Sequence, residues 1–132
     1  MPKVFVSHTH DTEDYARRLS DALRKSWGAS VIEGAGLPVG RPFEDALRDE
    51  LELADYLVVL LSSRASESPW ILFELGAAWG LNKPVVSVLL GDVDADRLDY
   101  LVRDRWYLDA RGLKPEQTAE RIKELATTGR AD

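Results

Sequence analysis

Tyr56-Leu57-Val58-Val59-Leu60-Leu61 is an unbroken apolar run, ended abruptly by Ser62-Ser63-Arg64. A second run of the same kind, Val85-Val86-Ser87-Val88-Leu89-Leu90, follows about thirty residues later. A strand with one wet face alternates apolar and polar side chains; a strand apolar on both faces is covered on both. Both runs are of strand length and rich in β-branched residues, so they predict central strands of a parallel sheet held between two helical layers.

Working outward, Val4-Phe5-Val6 is a third short strand, and polar Ser7-His8-Thr9-His10 forms its exit loop. Asp11 is placed to cap the next helix, and Asp14 lies in its first turn, where the helix dipole favours acids. Tyr15, Leu19, Ala22, Leu23 and Trp27 then recur at helical spacing, with charged residues on the other face. Gly28 closes that helix, and Ala29 to Ile32 reads as a weaker strand. The stretch from Glu33 to Pro42 holds three glycines and two prolines, which makes it a loop. A second helix carries Phe43, Ala46, Leu47, Leu51 and Ala54, and a third runs from Ser68 to Leu81, stopped by Asn82 and Pro84. A short strand near Trp106 to Leu108 and a helix from Pro115 to Ala126 complete the order. Thr127 to Asp132 reads as a frayed tail.

Strands alternating with helices imply right-handed crossovers and an open, doubly wound sheet. The expected architecture is a single α/β domain over residues 1–132, a flavodoxin-like three-layer fold with five parallel strands in the order 2-1-3-4-5. Its crevice opens at the carboxyl ends of strands one and three, where the order reverses. Ser7, His8 and Ser62 to Arg64 would line it.

Composition narrows the function. The 132 residues suit one core, and 45% hydrophobic with 30% charged is ordinary for a globular protein. There is no cysteine, which excludes disulfides, iron–sulfur clusters and thiol chemistry. A net charge of −6 argues against nucleic-acid binding, which needs a basic face. No basic-then-apolar leader and no membrane-spanning run is visible, so a cytoplasmic location without membrane attachment is expected.

The third helix holds the most informative residue. In Pro69-Trp70-Ile71-Leu72-Phe73-Glu74-Leu75-Gly76-Ala77-Ala78-Trp79-Gly80-Leu81, Ser68 precedes as N-cap, Pro69 takes the first helical position, and Glu74 is the lone ionisable group. A helix apolar all the way round is expected to be buried. A carboxylate there must find partners or shift its pKa. Two roles are open to Glu74: a structural acid serving a neighbouring loop, or a functional acid beside the crevice.

The order Val4-Phe5-Val6-Ser7-His8, Gly36-Leu37-Pro38-Val39-Gly40, Val58-Val59-Leu60-Leu61-Ser62 and Ser68-Pro69-Trp70-Ile71-Leu72-Phe73-Glu74 resembles Toll/interleukin-1 receptor (TIR) domains, bacterial ones above all. The likeness extends from Val4 to about Leu108, and it departs at Ile71, where the family commonly has Cys. The resemblance implies an NAD glycohydrolase or cyclase in which Glu74 is catalytic and Trp70 is the family's Trp four residues earlier. One turn before Glu74, Trp70 is open to packing on the substrate or to a plain core role. It also implies that the loop with Gly36, Leu37 and Arg41 meets a neighbouring domain, so that the active form is a homo-oligomer built by TIR–TIR contacts. Ser7 and His8 are candidates for ribose or diphosphate contacts, Gly36 and Leu37 for further substrate contacts, and Arg41 and Arg64 for phosphate, against the plainer roles of loop solvation and surface charge. NAD enters as substrate; no cofactor or metal is expected.

One carboxylate suffices for such a reaction. Glycosidases need a second acid to protonate the leaving oxygen. Nicotinamide leaves from a pyridinium and departs neutral, so only the ribosyl cation needs stabilisation, which an anion in a low-dielectric pocket supplies. Water then gives ADP-ribose, and the adenine of the same molecule gives a cyclic product. Antiphage defence is one setting for it.

Three rivals remain. Ser7-His8-Thr9-His10-Asp11-Thr12 is similar to a metallo-β-lactamase-type zinc motif, but Thr12 stands where that motif needs Asp, and the chain has only two His. A non-enzymatic TIR adaptor is the alternative of a different class. A Glu-dependent nucleoside deoxyribosyltransferase shares the sheet.

Overall fold

The computed structural model describes residues 1–33, 43–93 and 106–128, with the side chains of residues 43–46 left out of the description. Its strands are β1 (Lys3–Ser7), β2 (Ser30–Glu33), β3 (Tyr56–Leu61), β4 (Val85–Leu89) and β5 (Trp106–Asp109). Its helices are α1 (Glu13–Trp27), α2 (Phe43–Leu53), α3 (Pro69–Gly80) and α4 (Pro115–Thr128). All pairings are parallel, and the sheet order is β2-β1-β3-β4-β5. This is the expected 2-1-3-4-5 flavodoxin-like arrangement.

The two-residue period of a strand sorts the central runs between the two layers. Val4 and Val6 of β1, Val58 and Leu60 of β3, and Val86 and Val88 of β4 join Leu19 and Leu23 of α1 and Ile122 and Leu125 of α4. The intervening Phe5, Leu57, Val59, Leu61, Val85 and Leu89 join Leu47 and Leu51 of α2 and Ile71, Leu75 and Ala78 of α3. Both faces are thus covered, which is why β3 and β4 carry apolar side chains on both faces, with Ser87 of β4 a buried polar exception.

The helix ends follow their sequence signals. Gly28 takes a left-handed φ of 66° and donates to the carbonyls of Arg24 and Leu23. The Ser68 hydroxyl accepts from the Ile71 N–H at 3.4 Å, with Pro69 in the first turn. Asn82, with φ at 61°, turns the chain after α3. The last helix extends through Thr128, where the Thr127 and Thr128 hydroxyls donate to the carbonyls of Lys123 and Glu124; residues 129–132 lie outside the described residues.

Two expectations need correction. Asp11 does not cap α1: it sits in a short 3-10 turn, His10–Thr12, and the N-cap residue, Thr12, makes no side-chain capping bond. The extra turn moves Asp11 away from the free amide groups of α1. Nor is α3 buried all round. Ile71, Glu74, Leu75 and Ala78 face inward, whereas Leu72 is 37%, Phe73 44% and Trp79 69% exposed. A helix in an outer layer has one sheet beneath it and can bury one side only.

Candidate active site

Ser7 is the last residue of β1. Strand parity places it with Phe5, on the side covered by α2 and α3. It opens a row across the sheet, pairing with Val59, which pairs with Ser87, which pairs with Tyr107. Above the sheet, Glu74 shares the inward face of α3 with Ile71, Leu75 and Ala78, as 3.6-residue periodicity requires. Glu74 and Ser7 meet there: the Ser7 hydroxyl donates to Glu74 Oε1.

Both groups are sealed, Glu74 at 0% and Ser7 at 1% exposure. Among the described residues Oε2 of Glu74 has no hydrogen-bond partner. An ionised carboxylate offers about four acceptor positions, so one donor leaves it under-satisfied. Burial pushes its pKa up and the Ser7 hydroxyl pulls it part of the way back, leaving it at about 7. No charged group enters that balance.

Around this pair the crevice mouth is polar. Asp11 accepts hydrogen bonds from Thr9 and from Ser62, and so ties the β1 exit to the β3 exit. Burial pushes Asp11 up, but the two hydroxyls and the charge of Arg64 outweigh it and hold the acid below its ordinary value. Arg64 is exposed at this mouth, beside Asp11. His8 is half-buried next to Ser7, its Nδ1 3.0 Å from the Thr9 carbonyl. Trp70 is half-buried at the start of α3 and stacks on Phe73, ring centroids 6.2 Å apart.

The structure therefore unites Ser7 with Glu74, and it sets His8 and Arg64 at the rim of the same crevice. Gly36, Leu37 and Arg41 lie outside the described residues. Asp11 and Ser62 together close the mouth, a link that residue types alone did not single out. Ser7 was legible as a crevice residue but not as the donor to Glu74. The signal was strand parity, which turns Ser7 toward the layer that holds α2 and α3.

Chemically, the arrangement is one carboxylate, poised between charge states, in an apolar layer. It is not a paired-acid site: Glu74 has no second carboxylate against it among the described residues. No group of three or more His, Cys, Asp or Glu able to hold a metal occurs among the described residues. No described helix is long and apolar enough to cross a membrane.

A doubly wound flavodoxin-like domain with a buried glutamate beside its switch point is the class that fold and site define. The TIR domain family profile matches residues 4–126, and the chain belongs to that family. No curated protein matches the chain in sequence. Among solved structures, it is similar to the RPS4 and RRS1 TIR domain heterodimer, with 19% identity, a TM-score of 0.66, and coverage of 97% of this chain and 98% of that one. It is also similar to the TIR domains of the activated Roq1 resistosome, with 19% identity and a TM-score of 0.64 over 97% of this chain and 72% of the other. The 2-deoxyribosyltransferase of Leishmania mexicana shares the fold at a TM-score of 0.54, with 17% identity over 67% of this chain and 65% of that enzyme. At such identities these likenesses speak for the fold.

Proposed function

We propose that this TIR domain cleaves the bond between nicotinamide and ribose in NAD, with Glu74 as its catalytic carboxylate. The observation that carries the reading is the under-satisfied burial of Glu74, held among the described residues by one hydroxyl, with Oε2 unpartnered. A structural acid is surrounded by donors; one left half-bonded in an apolar layer lowers stability and fits a site that has yet to meet its ligand.

In the proposed reaction the ribosyl C1′–N bond breaks heterolytically and its electron pair goes to the pyridinium nitrogen, so nicotinamide leaves neutral. The ionised Glu74, accepting from a ribose hydroxyl, stabilises the positive ribosyl centre left behind. Water adds to C1′ and releases a proton to solvent, giving ADP-ribose; capture by the adenine of the same molecule gives a cyclic product. His8 and Arg64, at the rim, are placed for the diphosphate, and Trp70 for a ring of the substrate. The reaction requires no metal. We place the domain with the bacterial branch of the family, in the cytoplasm, and antiphage defence signalling is a setting consistent with NAD consumption.

Assembly belongs to the proposal. The exposed Leu72, Phe73 and Trp79 on α3 form an apolar face, the kind of surface that marks a protein contact. Two of the similar structures are a TIR heterodimer and a resistosome. That same face supports a second reading, a non-enzymatic adaptor acting by TIR–TIR assembly.

Chromatography of NAD incubated with concentrated protein separates these readings. The hydrolase reading expects nicotinamide with ADP-ribose or a cyclic product, lost in Glu74→Ala, and a specific activity that rises with protein concentration. Intact NAD under assembly conditions supports the adaptor. Cleavage of deoxynucleosides instead supports the transferase.

A further inference from the structure

Among the described residues Glu74 has one hydrogen-bond partner, and its two oxygens differ. Oε1 accepts from Ser7, while Oε2 is equally buried and accepts from nothing among the described residues. We propose that Ser7 is the positioning residue of this site: its hydroxyl anchors Oε1, favours the ionised carboxylate, and leaves Oε2 as the oxygen that receives a ribose hydroxyl. This rests on the hydrolase reading and adds to it the residue that prepares the carboxylate.

The groups facing Glu74 leave Ser7 alone in this role. The layer into which α3 packs presents Phe5 from β1, Leu47 and Leu51 from α2, Val59 and Leu61 from β3, and Val85 and Leu89 from β4, all apolar. The one other hydroxyl on that face of β4, Ser87, is buried and makes no hydrogen bond among the described residues. Tyr107 of β5 borders that layer at the far end of the Ser7–Val59–Ser87 row, and its own balance is set by burial, Asp109 and Arg111. At the mouth, the charge of Arg64 acts on Asp11. A hydroxyl that donates to a carboxylate stabilises the charged form, and among the described residues Ser7 is the donor that reaches Glu74. The buried strand end makes the geometry rigid: Ser7 is fixed by pairing with Val59, and Glu74 by its neighbours Ile71, Leu75 and Ala78 on α3.

The test compares wild type, Ser7→Ala and Ser7→Thr in two measurements on the full chain. Carbon-13 NMR titration of the Glu74 carboxyl reads its midpoint without requiring turnover, and the pH profile of kcat for nicotinamide release reads it through the reaction. Ser7→Ala is expected to raise both midpoints by about one pH unit, which lowers release at pH 7 about five-fold and restores much of it above pH 8.5. Ser7→Thr, which keeps the hydroxyl, returns both midpoints toward wild type. A Ser7→Ala carboxyl that titrates with the wild-type midpoint overturns the role of Ser7, whatever the enzyme does. Full release in Glu74→Gln, or none in wild type, counts against the hydrolase reading instead and leaves the NMR midpoint to decide on Ser7.

Discussion

Ser7, at the carboxyl end of β1, and Glu74, in the middle of α3, stand 67 positions apart in the chain and share a buried hydrogen bond between sheet and helix. Among the described residues it is the hydrogen bond that joins the β1 exit to α3. Everything chemical about the site depends on how weakly that single bond compensates the burial of the charge.

Stability should record the imbalance. Glu74 has its folded pKa raised from 4.5 to about 7. The folded state therefore holds the proton more tightly than the unfolded chain. The contribution is fully present below pH 4.5 and is lost as the pH rises through about 7. The loss amounts to about 3 kcal/mol. Urea unfolding at pH 4.5 and pH 8 should show that fall in wild type, after subtraction of the slope that remains in Glu74→Gln. At pH 8 the Glu74→Gln variant should be the more stable protein. A variant less stable than wild type at pH 8 would mean that the carboxylate is a structural group after all.

The pH profile of turnover should run the opposite way. The ionised carboxylate is the working form, so nicotinamide release should climb with pH and level off above about 7, where Glu74 has lost its proton. Initial rates between pH 5 and pH 9 check this. A rate that falls across that range would require the protonated acid and a different mechanism.

The two-layer core makes a contrast between neighbours in the sequence of α3. Ile71→Ala removes a fully buried side chain and should cost about 3 kcal/mol. Trp79→Gln removes a far larger side chain that is 69% exposed, and the cost should stay within about 0.5 kcal/mol. Thermal unfolding of the two variants measures both. Equal losses would show that the outer face of α3 is packed against something within the domain.

Gly28 supplies a backbone test. At φ 66° a Cβ meets nothing within 4 Å, so Gly28→Ala should cost about 1 kcal/mol from the left-handed conformation alone. Denaturant midpoints of the variant check the figure, and an unchanged midpoint would contradict the α1 cap.

Much of this was legible in the residues. Tyr56 to Leu61 and Val85 to Leu90 pointed to the parallel sheet because strands apolar on both faces are covered on both, and the order came from taking five alternating strands as flavodoxin-like. Glu74 stood out because a lone acid in an apolar helix must find a partner or shift its pKa, though the residues alone left a structural and a functional role both open. Other features were not legible. Asp11 had the right chemistry for a helix cap, but a 3-10 turn intervened and aimed it at Ser62; turn geometry of that kind depends on a contact across the crevice, which local sequence does not contain. The exposure of Phe73 and Trp79 was hidden for a different reason: an apolar side chain facing water and one facing the core read alike until the layers on either side are known.

The central claim is that Glu74 is a carboxylate kept for NAD cleavage, and it is tested most directly by nicotinamide release from NAD in Glu74→Gln beside wild type, at high protein concentration and pH 8, with both proteins shown folded by the same unfolding curves. The expected result is release by wild type and none above background from a Glu74→Gln protein that is at least as stable. Release at the wild-type rate from the folded variant would contradict it.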